Sequence, residues 1–295
     1  MNLNVSETVR ISATASEPAS RKCVRLDLHV HSDRSDGKYP PEEVLRRAAA
    51  AGIDMLALSD HDLDPVLRHG NHVVEGRTIR VIASAEVSGH HAGKEFHLLW
   101  YFQGATPPEA SVFLRKRAQA RAHRYDAAMA KLGVADRADP EAHAGSRALT
   151  RYHLADALVR CGRVKNPHDA WHLLGSDTVP LIDLSFVDAI KAARGFGALT
   201  SWAHPSTADA NKYIAEFVAA GLQGVEAARP SLDKSTRKGL RALAKKHGLF
   251  ITGGSDWHGW WQGDLGDFRF EDEHAAAFVV RLDKPALLAD RPAAS

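Results

Sequence analysis

Short apolar runs of strand length recur along most of the chain, and they alternate with longer stretches of helical periodicity. The runs are rich in Val, Ile, Leu and aromatic residues, as buried strands are. We predict strands at 24–30, 54–59, 78–87, 95–101, 197–202, 222–226 and 250–252. Strand–helix alternation is typical of parallel sheets with helical crossovers, and about seven strands in this order suit a closed barrel.

The predicted helices fall into two groups. Those between strands lie at 40–51, 186–194, 209–220 and 232–248, and the first of them opens on two prolines, which a first helical turn tolerates. A second group at 107–132, 148–160 and 167–174 contains no predicted strand. We therefore predict a helical insertion at 105–178 within a barrel domain formed by 23–104 and 179–283. Flexible tails are expected at 1–22 and 284–295.

Composition narrows the class of protein. The chain has 295 residues, of which 44% are hydrophobic and 25% charged, so global disorder is not expected. A net charge of +2 does not favour strong nonspecific nucleic-acid binding, although it leaves room for a small anionic substrate. The only cysteines, Cys23 and Cys161, form no CxxC pair, which predicts a reducing, cytoplasmic setting without disulfides. We expect no membrane span, no signal peptide and no obligate protein partner.

The 17 histidines matter because many of them lie where predicted strands end. His29 and His31 are two apart in a strand, so both project from the same face. His61 follows the second strand between Asp60 and Asp62, which as neighbouring carboxylates could orient it. The remaining candidates near strand ends are Asp36, Glu86, His97, His204, Asp256 and His258. Taken singly, each has a plain alternative, such as a turn cap for Asp36 or a core position for His97.

Taken together, these positions predict a multinuclear metal site. The carboxyl ends of parallel barrel strands meet on one face, where such enzymes place their active sites. Glu86, at the tip of a buried strand, needs a compensating charge, which a metal supplies. Mixed imidazole and carboxylate ligation suits Zn, Mn or Fe. His90 and His91 fall in the following turn and are expected to be solvated, as is the arginine-rich helix face at 115–124.

The motifs that carry these residues resemble those of the polymerase and histidinol phosphatase (PHP) family. They read DLHVHSDRSDG, ALSDHD, AEVS, EFHLL, WAHP and GGSDWHG, and they follow the family's order from residue 27 to residue 259. The insertion resembles that of a nucleotide phosphatase and exonuclease subgroup, whose Arg-x-His motif is matched by Arg151 and His153. The resemblance implies an α/β fold, a distorted (β/α)7 barrel with an inserted all-helical subdomain.

The resemblance also implies a role for each candidate residue. Three divalent ions are expected, and Mn, Fe and Zn stay open as their identity. One ion would be bound by His29, His31, Glu86 and Asp256, a second by Glu86, His97 and His204, and a third by Asp36, His61 and His258. Arg151 and His153 would hold the substrate phosphate and, with Glu86 and Asp256, act in catalysis. Arg229, just beyond the predicted strand 222–226, is a further candidate to reach the site.

The predicted function is phosphoester hydrolysis by attack of a metal-bridged hydroxide. The expected substrate is a nucleotide, such as a nucleoside 3′,5′-bisphosphate, or a short 5′-phosphorylated oligonucleotide. Trp100 and Tyr101 stand where the family has Gly-Tyr after His-Leu-Leu, so substrate choice stays open. Alternatives are a phosphatase of histidinol phosphate or another small molecule, a metal-dependent amidohydrolase, and a non-catalytic barrel. The amidohydrolase is disfavoured because no predicted strand end offers a bridging lysine.

Overall fold

Nine strands form one sheet in the computed structural model, which describes residues 24–260, 263–268 and 270–284. They are β1 (Arg25–Val30), β2 (Met55–Leu58), β3 (Gly70–Val74), β4 (Arg77–His91), β5 (Lys94–Tyr101), β6 (Leu199–Trp202), β7 (Gly224–Ala228), β8 (Phe250–Gly253) and β9 (Phe270–Glu271). All seven predicted strands are present, while β3 and β9 were not predicted. Cys23 and the predicted tails lie outside the described residues, apart from Lys284.

Seven of the strands follow one another around a ring. The order is β1, β2, β4, β5, β6, β7, β8, with β3 and β9 added at the sides of β4 and β1. After β8 the chain returns to β1, because the Asp256 N–H donates to the His29 carbonyl (2.8 Å) and the His31 N–H to the Trp257 carbonyl (3.0 Å). Gly254 permits this approach, since a Cβ there would lie 2.4 Å from the His29 Cβ. The predicted α/β class is confirmed, with a barrel-like sheet.

The strand direction differs from the all-parallel prediction at β5, which is antiparallel to both β4 and β6. The cause is local. Ala92 (φ 47°) and Gly93 (φ 76°) form a two-residue turn between β4 and β5, and positive φ at both positions is typical of a tight hairpin. A turn of two residues can join only antiparallel strands, because a parallel pair needs a crossover connection.

The described residues form nine α-helices, three of which connect parallel strands of the sheet. They are α1 (Pro41–Ala50), α2 (Pro108–Leu132), α3 (Pro140–Ala144), α4 (Arg151–Arg160), α5 (Pro167–Ala170), α6 (Phe186–Gly195), α7 (Thr207–Ala220), α8 (Lys234–Lys246) and α9 (Asp272–Leu282). Phe186, Trp202 and Phe217 belong to the largest apolar core, between the sheet and helices α6 and α7. Within the described residues, no helix combines the length and apolarity that a bilayer span requires.

Helices α2 to α5 occupy the predicted insertion. From α2 to the start of α6 the described chain forms helices and turns without a strand, and it has a separate apolar core that includes Met129, Leu154 and Leu158. This separate core supports the predicted boundaries of the insertion, which stay a prediction.

The arginine-rich face of α2 is not solvated, so that prediction was wrong. Arg117 and Arg121 are buried, and the Arg124 side chain is only 10% exposed. These positions are four and three residues apart, so they share one helix face. That face is turned toward the barrel, where Arg117 pairs with Asp183 and Arg121 with Asp62.

Candidate metal centre

All nine predicted metal ligands lie together at one edge of the ring, and Glu86 is at their centre. Its Oε2 atom is 3.2 Å from a ring nitrogen of His29, of His31 and of His61. Its Oε1 atom is 3.1 Å from His97 Nδ1 and 2.9 Å from His204 Nε2. One buried carboxylate therefore contacts five imidazoles. His97 reaches this edge because β5 is antiparallel, which brings its amino-terminal half beside Ser88 of β4.

Two further carboxylates extend the cluster on either side of His31. Asp256 Oδ1 is 3.3 Å from His31 Nε2 and 3.5 Å from His29 Nε2. Asp36 lies 3.2 Å from His258 Nε2, 3.6 Å from His61 Nε2 and 3.7 Å from His31 Nδ1. Atoms able to bind a metal converge within 4.8 Å in three overlapping groups, which are His29, His31 and Glu86, then His61, Glu86 and His97, and finally His31, Asp36, His61 and His258.

The electrostatics of the cluster favour a cation. Burial by itself lowers the pKa values of His31 and His97, but Glu86 and its neighbouring carboxylates raise them to about 10 and about 9. Burial likewise raises the pKa of the Glu86 carboxyl, yet His29, His61 and His97 hold that pKa well below its ordinary range. The carboxylates are thus ionised and attract positive charge, whether carried by protons or by divalent ions.

The donor set fits divalent metal ions. Six imidazoles and three carboxylates supply the nitrogen and oxygen ligands that Zn, Mn and Fe accept. Two buried ligand atoms, Asp36 Oδ1 and His61 Nδ1, have 3.2 Å contacts to His258 and Glu86, but these contacts lack hydrogen-bond geometry and no described residue supplies another partner. Buried polar atoms usually have a partner, so atoms of this kind pointing into a cluster of ligands are consistent with metal coordination.

Glu226 supports the cluster from outside, and the sequence interpretation did not assign it a role. This buried carboxylate lies 3.1 Å from His29 Nδ1 and also accepts the backbone N–H of His204 at 2.8 Å. It orients the His29 ring so that Nε2 faces Glu86, as carboxylates behind metal-binding histidines do. The sequence did offer a signal for Glu226, because this residue ends the predicted strand 222–226 and strand ends converge on the site.

Asp60 and Asp62 do not flank His61 as orienting groups, contrary to our prediction. Asp60 instead accepts hydrogen bonds from the Ser32 N–H (2.8 Å) and from the hydroxyls of Ser32 and Ser35 (2.6 Å each), which holds the loop that carries Asp36. Asp62 accepts the Ser88 N–H and pairs with Arg121. Successive residues in this loop point in different directions, so sequence neighbours need not be partners.

Several site residues have positive backbone φ angles. They include Asp62 (50°), His204 (33°) and Asp256 (55°), none of which is glycine. Such conformations are uncommon for residues with a side chain, and they cluster where surrounding contacts impose them. Here the contacts include the hydrogen bonds of His204 to Glu226 and of Asp256 to the His29 carbonyl.

Arg151 and His153 lie at the start of α4. Arg151 lines a cavity of about 230 Å³ together with the candidate ligands Asp36, His61 and His97. It pairs with Glu95 at 3.2 Å, and Arg124 pairs with the same carboxylate at 2.7 Å. Glu95 and Arg124, which the sequence interpretation did not single out, therefore also belong to this cavity.

His153 has a structural role at the start of the helix. Its Nδ1 accepts the Thr150 backbone N–H at 3.0 Å and so completes a capping box. Burial lowers the pKa of His153 to about 4, so the ring is neutral at pH 7. With Nδ1 accepting, the ring proton is on Nε2.

The turn histidines behave differently from the prediction that they are solvated. His90 and His91 are the last residues of β4 and are partly buried. His90 Nδ1 lies 2.9 Å from the Ile182 carbonyl, and His91 packs edge-on against Tyr213 and Phe217. The hairpin to β5 extends the strand through them, which removes the expected loop.

A barrel-like α/β sheet with clustered histidines and carboxylates at one edge is typical of metal-dependent hydrolases. A family model described as PHP domain matches residues 27–135. A 5′-3′ exoribonuclease of Haemophilus influenzae is 31% identical over 80% of this chain and 92% of its own length. A 3′,5′-nucleoside bisphosphate phosphatase of Chromobacterium violaceum is 30% identical over 79% of this chain and 87% of its own.

The chain belongs to the PHP domain family, and it is a hydrolase of phosphoester bonds. A solved structure from Bifidobacterium adolescentis supports the fold, with a TM-score of 0.71 at 22% identity over 90% of this chain and 98% of that one. The predicted family, fold class and reaction class are thus confirmed. The same findings disfavour the alternative of a non-catalytic barrel, whereas a solved structure from Chromobacterium violaceum, 27% identical with a TM-score of 0.66 over 82% of this chain and 89% of that one, is named an amidohydrolase.

Proposed function

We propose that this protein hydrolyses a phosphoester of a nucleotide or of a short 5′-phosphorylated oligonucleotide. One observation carries the proposal. Arg151 and Arg124 line the same cavity as Asp36, His61 and His97, so groups that bind phosphate lie beside groups that bind metal. Relatives named as an exoribonuclease and a nucleoside bisphosphate phosphatase support a substrate of this class.

We propose that the nine clustered side chains hold three metal ions. Glu86 would be shared between ions, because it contacts histidines of more than one group. When bound, the ions supply Lewis acidity for the phosphoryl group and lower the pKa of water. Mn, Fe and Zn all accept these ligands, so the identity of the metal stays open. A cytoplasmic location, predicted from the cysteine content, likewise stays a prediction.

The residues of the insertion would bind and orient the phosphate. Arg151 offers a planar guanidinium for two phosphoryl oxygens, and the shared partner Glu95 holds it beside Arg124. The Nε2–H of neutral His153 is a hydrogen-bond donor for a phosphate oxygen. With a pKa of about 4, His153 is a poor proton donor at pH 7, so we assign it to binding and not to acid catalysis.

Aromatic side chains at the mouth of the cavity suit a nucleobase. Trp171 and Tyr152 line it, and Trp171 is 48% exposed. Trp260 lies next to Tyr152, with ring centroids 5.1 Å apart, and its indole N–H donates to the Asp36 carbonyl. Exposed aromatic faces beside a cationic groove are a common arrangement for unpaired bases.

A phosphate-release screen on Mn-loaded protein tests the proposed function. The substrates are nucleoside 3′,5′-bisphosphates, short 5′-phosphorylated RNA, histidinol phosphate and a generic aryl phosphate, each with and without chelator, and RNA cleavage is also followed by chromatography. We expect chelator-sensitive turnover of the nucleotide substrates. Turnover of histidinol phosphate alone would support phosphoester hydrolysis but would refute the proposed nucleotide substrate. Turnover that survives exhaustive chelation would refute the metal site.

Replacing Arg151 with alanine should weaken turnover without affecting metal content. Loss of a hydrogen-bonded ion pair to phosphate costs about 1.5–3 kcal/mol, which corresponds to roughly ten- to a hundredfold in kcat/KM. Steady-state kinetics and metal analysis of the purified variant measure both quantities. Arg163→Ala, an exposed arginine in the same insertion, is the control. Loss of metal from Arg151→Ala would show instead that Arg151 maintains the structure of the centre.

A further inference from the structure

A second and larger cavity adjoins the metal centre on the side of Asp256. Its volume is about 700 Å³, and its lining includes Arg229, Arg237, Ser255 and Asp256. The cavity next to Arg151 is lined instead by Asp36, His61 and His97. The candidate ligands of the metal centre therefore line both cavities. A substrate longer than a mononucleotide could occupy the two at once.

Two arginines in the second cavity form no ion pair with any residue that the structure describes. Arg229 directly follows β7, and the Nη2 of Arg237 on α8 donates to the Arg229 carbonyl at 3.0 Å, which keeps the two residues side by side. No carboxylate lies within 4.0 Å of either guanidinium in the part of the chain that the structure describes. Their Nε atoms are buried without a hydrogen bond to any described residue. Two adjacent guanidiniums that line one cavity without an ion pair favour an anionic ligand.

The same cavity also contains two carboxylates besides the candidate ligand Asp256. Asp264 and Asp267 are part of its lining. The Asp267 carboxylate accepts the Asp264 backbone N–H at 3.0 Å, so it is engaged within its own turn. Neither carboxylate neutralises Arg229 or Arg237, because no ion pair joins them among the described residues. The two guanidiniums thus keep their charge available.

Helix α8 continues the positive charge away from the cavity. Its thirteen residues include six cations and no Asp or Glu, and the cations are Lys234, Arg237, Lys238, Arg241, Lys245 and Lys246. None of these cations forms an ion pair with another described residue. Arg241 is one helical turn beyond Arg237 and therefore on the same face. The whole chain has a net charge of only +2, so this helix is a local concentration of positive charge.

A cationic helix is often only a solvated surface, but the position of Arg237 separates α8 from that case. Arg237 lines, together with Arg229, a cavity that reaches the candidate metal ligand Asp256. We propose that Arg229, Arg237 and the basic residues that follow on α8 bind backbone phosphates of a single-stranded oligonucleotide, beyond the phosphoester that is hydrolysed. This inference rests on the proposed function and extends it to substrates of more than one nucleotide.

The test compares a long substrate with a short one. The variant Arg229→Gln/Arg237→Gln and the charge-matched control Lys131→Gln/Lys191→Gln, both Mn-loaded, are assayed on a 5′-phosphorylated RNA trinucleotide and on a nucleoside 3′,5′-bisphosphate. For the arginine variant we expect kcat/KM to fall about tenfold or more on the trinucleotide and to change less than about twofold on the bisphosphate. The slope of log kcat/KM against log salt should become shallower by about 1.4, since each single-strand phosphate contact contributes about 0.7.

Equal losses on both substrates, or no loss on the trinucleotide, would overturn the inference. A separate binding measurement tests the inference even if the proposed function is wrong. Fluorescence anisotropy with a labelled single-stranded RNA compares the Mn-loaded wild type with the arginine variant. If the wild type hydrolyses no nucleotide but the variant loses RNA binding, the proposed function is wrong and the inference stands. Equal binding by both proteins would refute the inference by itself.

Discussion

Glu86→Gln is expected to abolish both metal retention and turnover, with kcat reduced by about 10³-fold or more, equivalent to about 4 kcal/mol in the activation barrier. The carboxylate lies 2.9–3.2 Å from five histidines, so its negative charge serves every ion that those histidines would bind. Glutamine has nearly the same shape but no charge. Its amide NH2 group would also face ring nitrogens or bound cations, and an amide nitrogen does not bind a metal ion as a carboxylate oxygen does.

The measurement combines elemental analysis of the purified variant with the phosphate-release assay. Glu109→Gln, which alters an exposed glutamate at the start of α2, is the matched control and should behave as wild type. A Glu86→Gln protein with wild-type metal content and rate would contradict the assignment of this residue. Loss of turnover with metal retained would restrict Glu86 to a catalytic role and would remove it from the ligand set.

Replacing Arg121 with methionine should cause the largest loss of stability among single changes outside the centre. Arg121 is 3% exposed, and it donates to the Asp62 carboxylate and to the Ser88 hydroxyl at 2.6 Å each. Without it, Asp62 becomes a buried carboxylate with no cationic partner among the described residues. Removing one partner of a buried ion pair typically costs about 3–5 kcal/mol. The contact also joins α2 to the loop after β2, so the insertion should loosen.

Urea unfolding of the Mn-loaded proteins measures this loss, with midpoints and slopes compared against wild type. Lys116→Met, five residues earlier on the same helix and exposed, is the control and should change stability by less than about 0.5 kcal/mol. Equal midpoints for Arg121→Met and Lys116→Met would show that Asp62 does not depend on Arg121. Proteolysis that begins sooner within 105–178 would support the predicted anchoring of the insertion.

The residues that cluster as candidate metal ligands were predictable from the sequence. His29 and His31 show why, because residues two apart in a strand share a face whatever the rest of the fold does. Glu86 and Asp256 were also predictable, since each follows or ends an apolar run of strand length. Side-chain chemistry and strand periodicity are local properties. They were sufficient for the seven main strands, the helical stretch between β5 and β6, and the class of reaction.

Other features depend on which elements pack together, and only the tertiary structure decided them. Glu226 orients His29 from 197 positions away, and Arg121 pairs with Asp62 from 59 positions away. The arginines of α2 had the sequence pattern of a solvated helix face, yet that face is packed against the barrel. His153 matched a family motif, but its Nδ1 is engaged by the Thr150 N–H, which determines the remaining donor.

The sequence alone thus determined the candidate ligands, most of the strands and the type of chemistry, because each follows from residue identity and from spacing within one element. The tertiary structure decided the antiparallel direction of β5, the partners of the buried charges and the two cavities that adjoin the centre. The partners and the cavities follow from contacts between segments far apart in the chain. The direction of β5 follows from a two-residue turn, whose backbone angles the hydrophobic pattern of the sequence did not predict. Burial then decides their energetic weight, because a charge that loses water must find a partner in the fold.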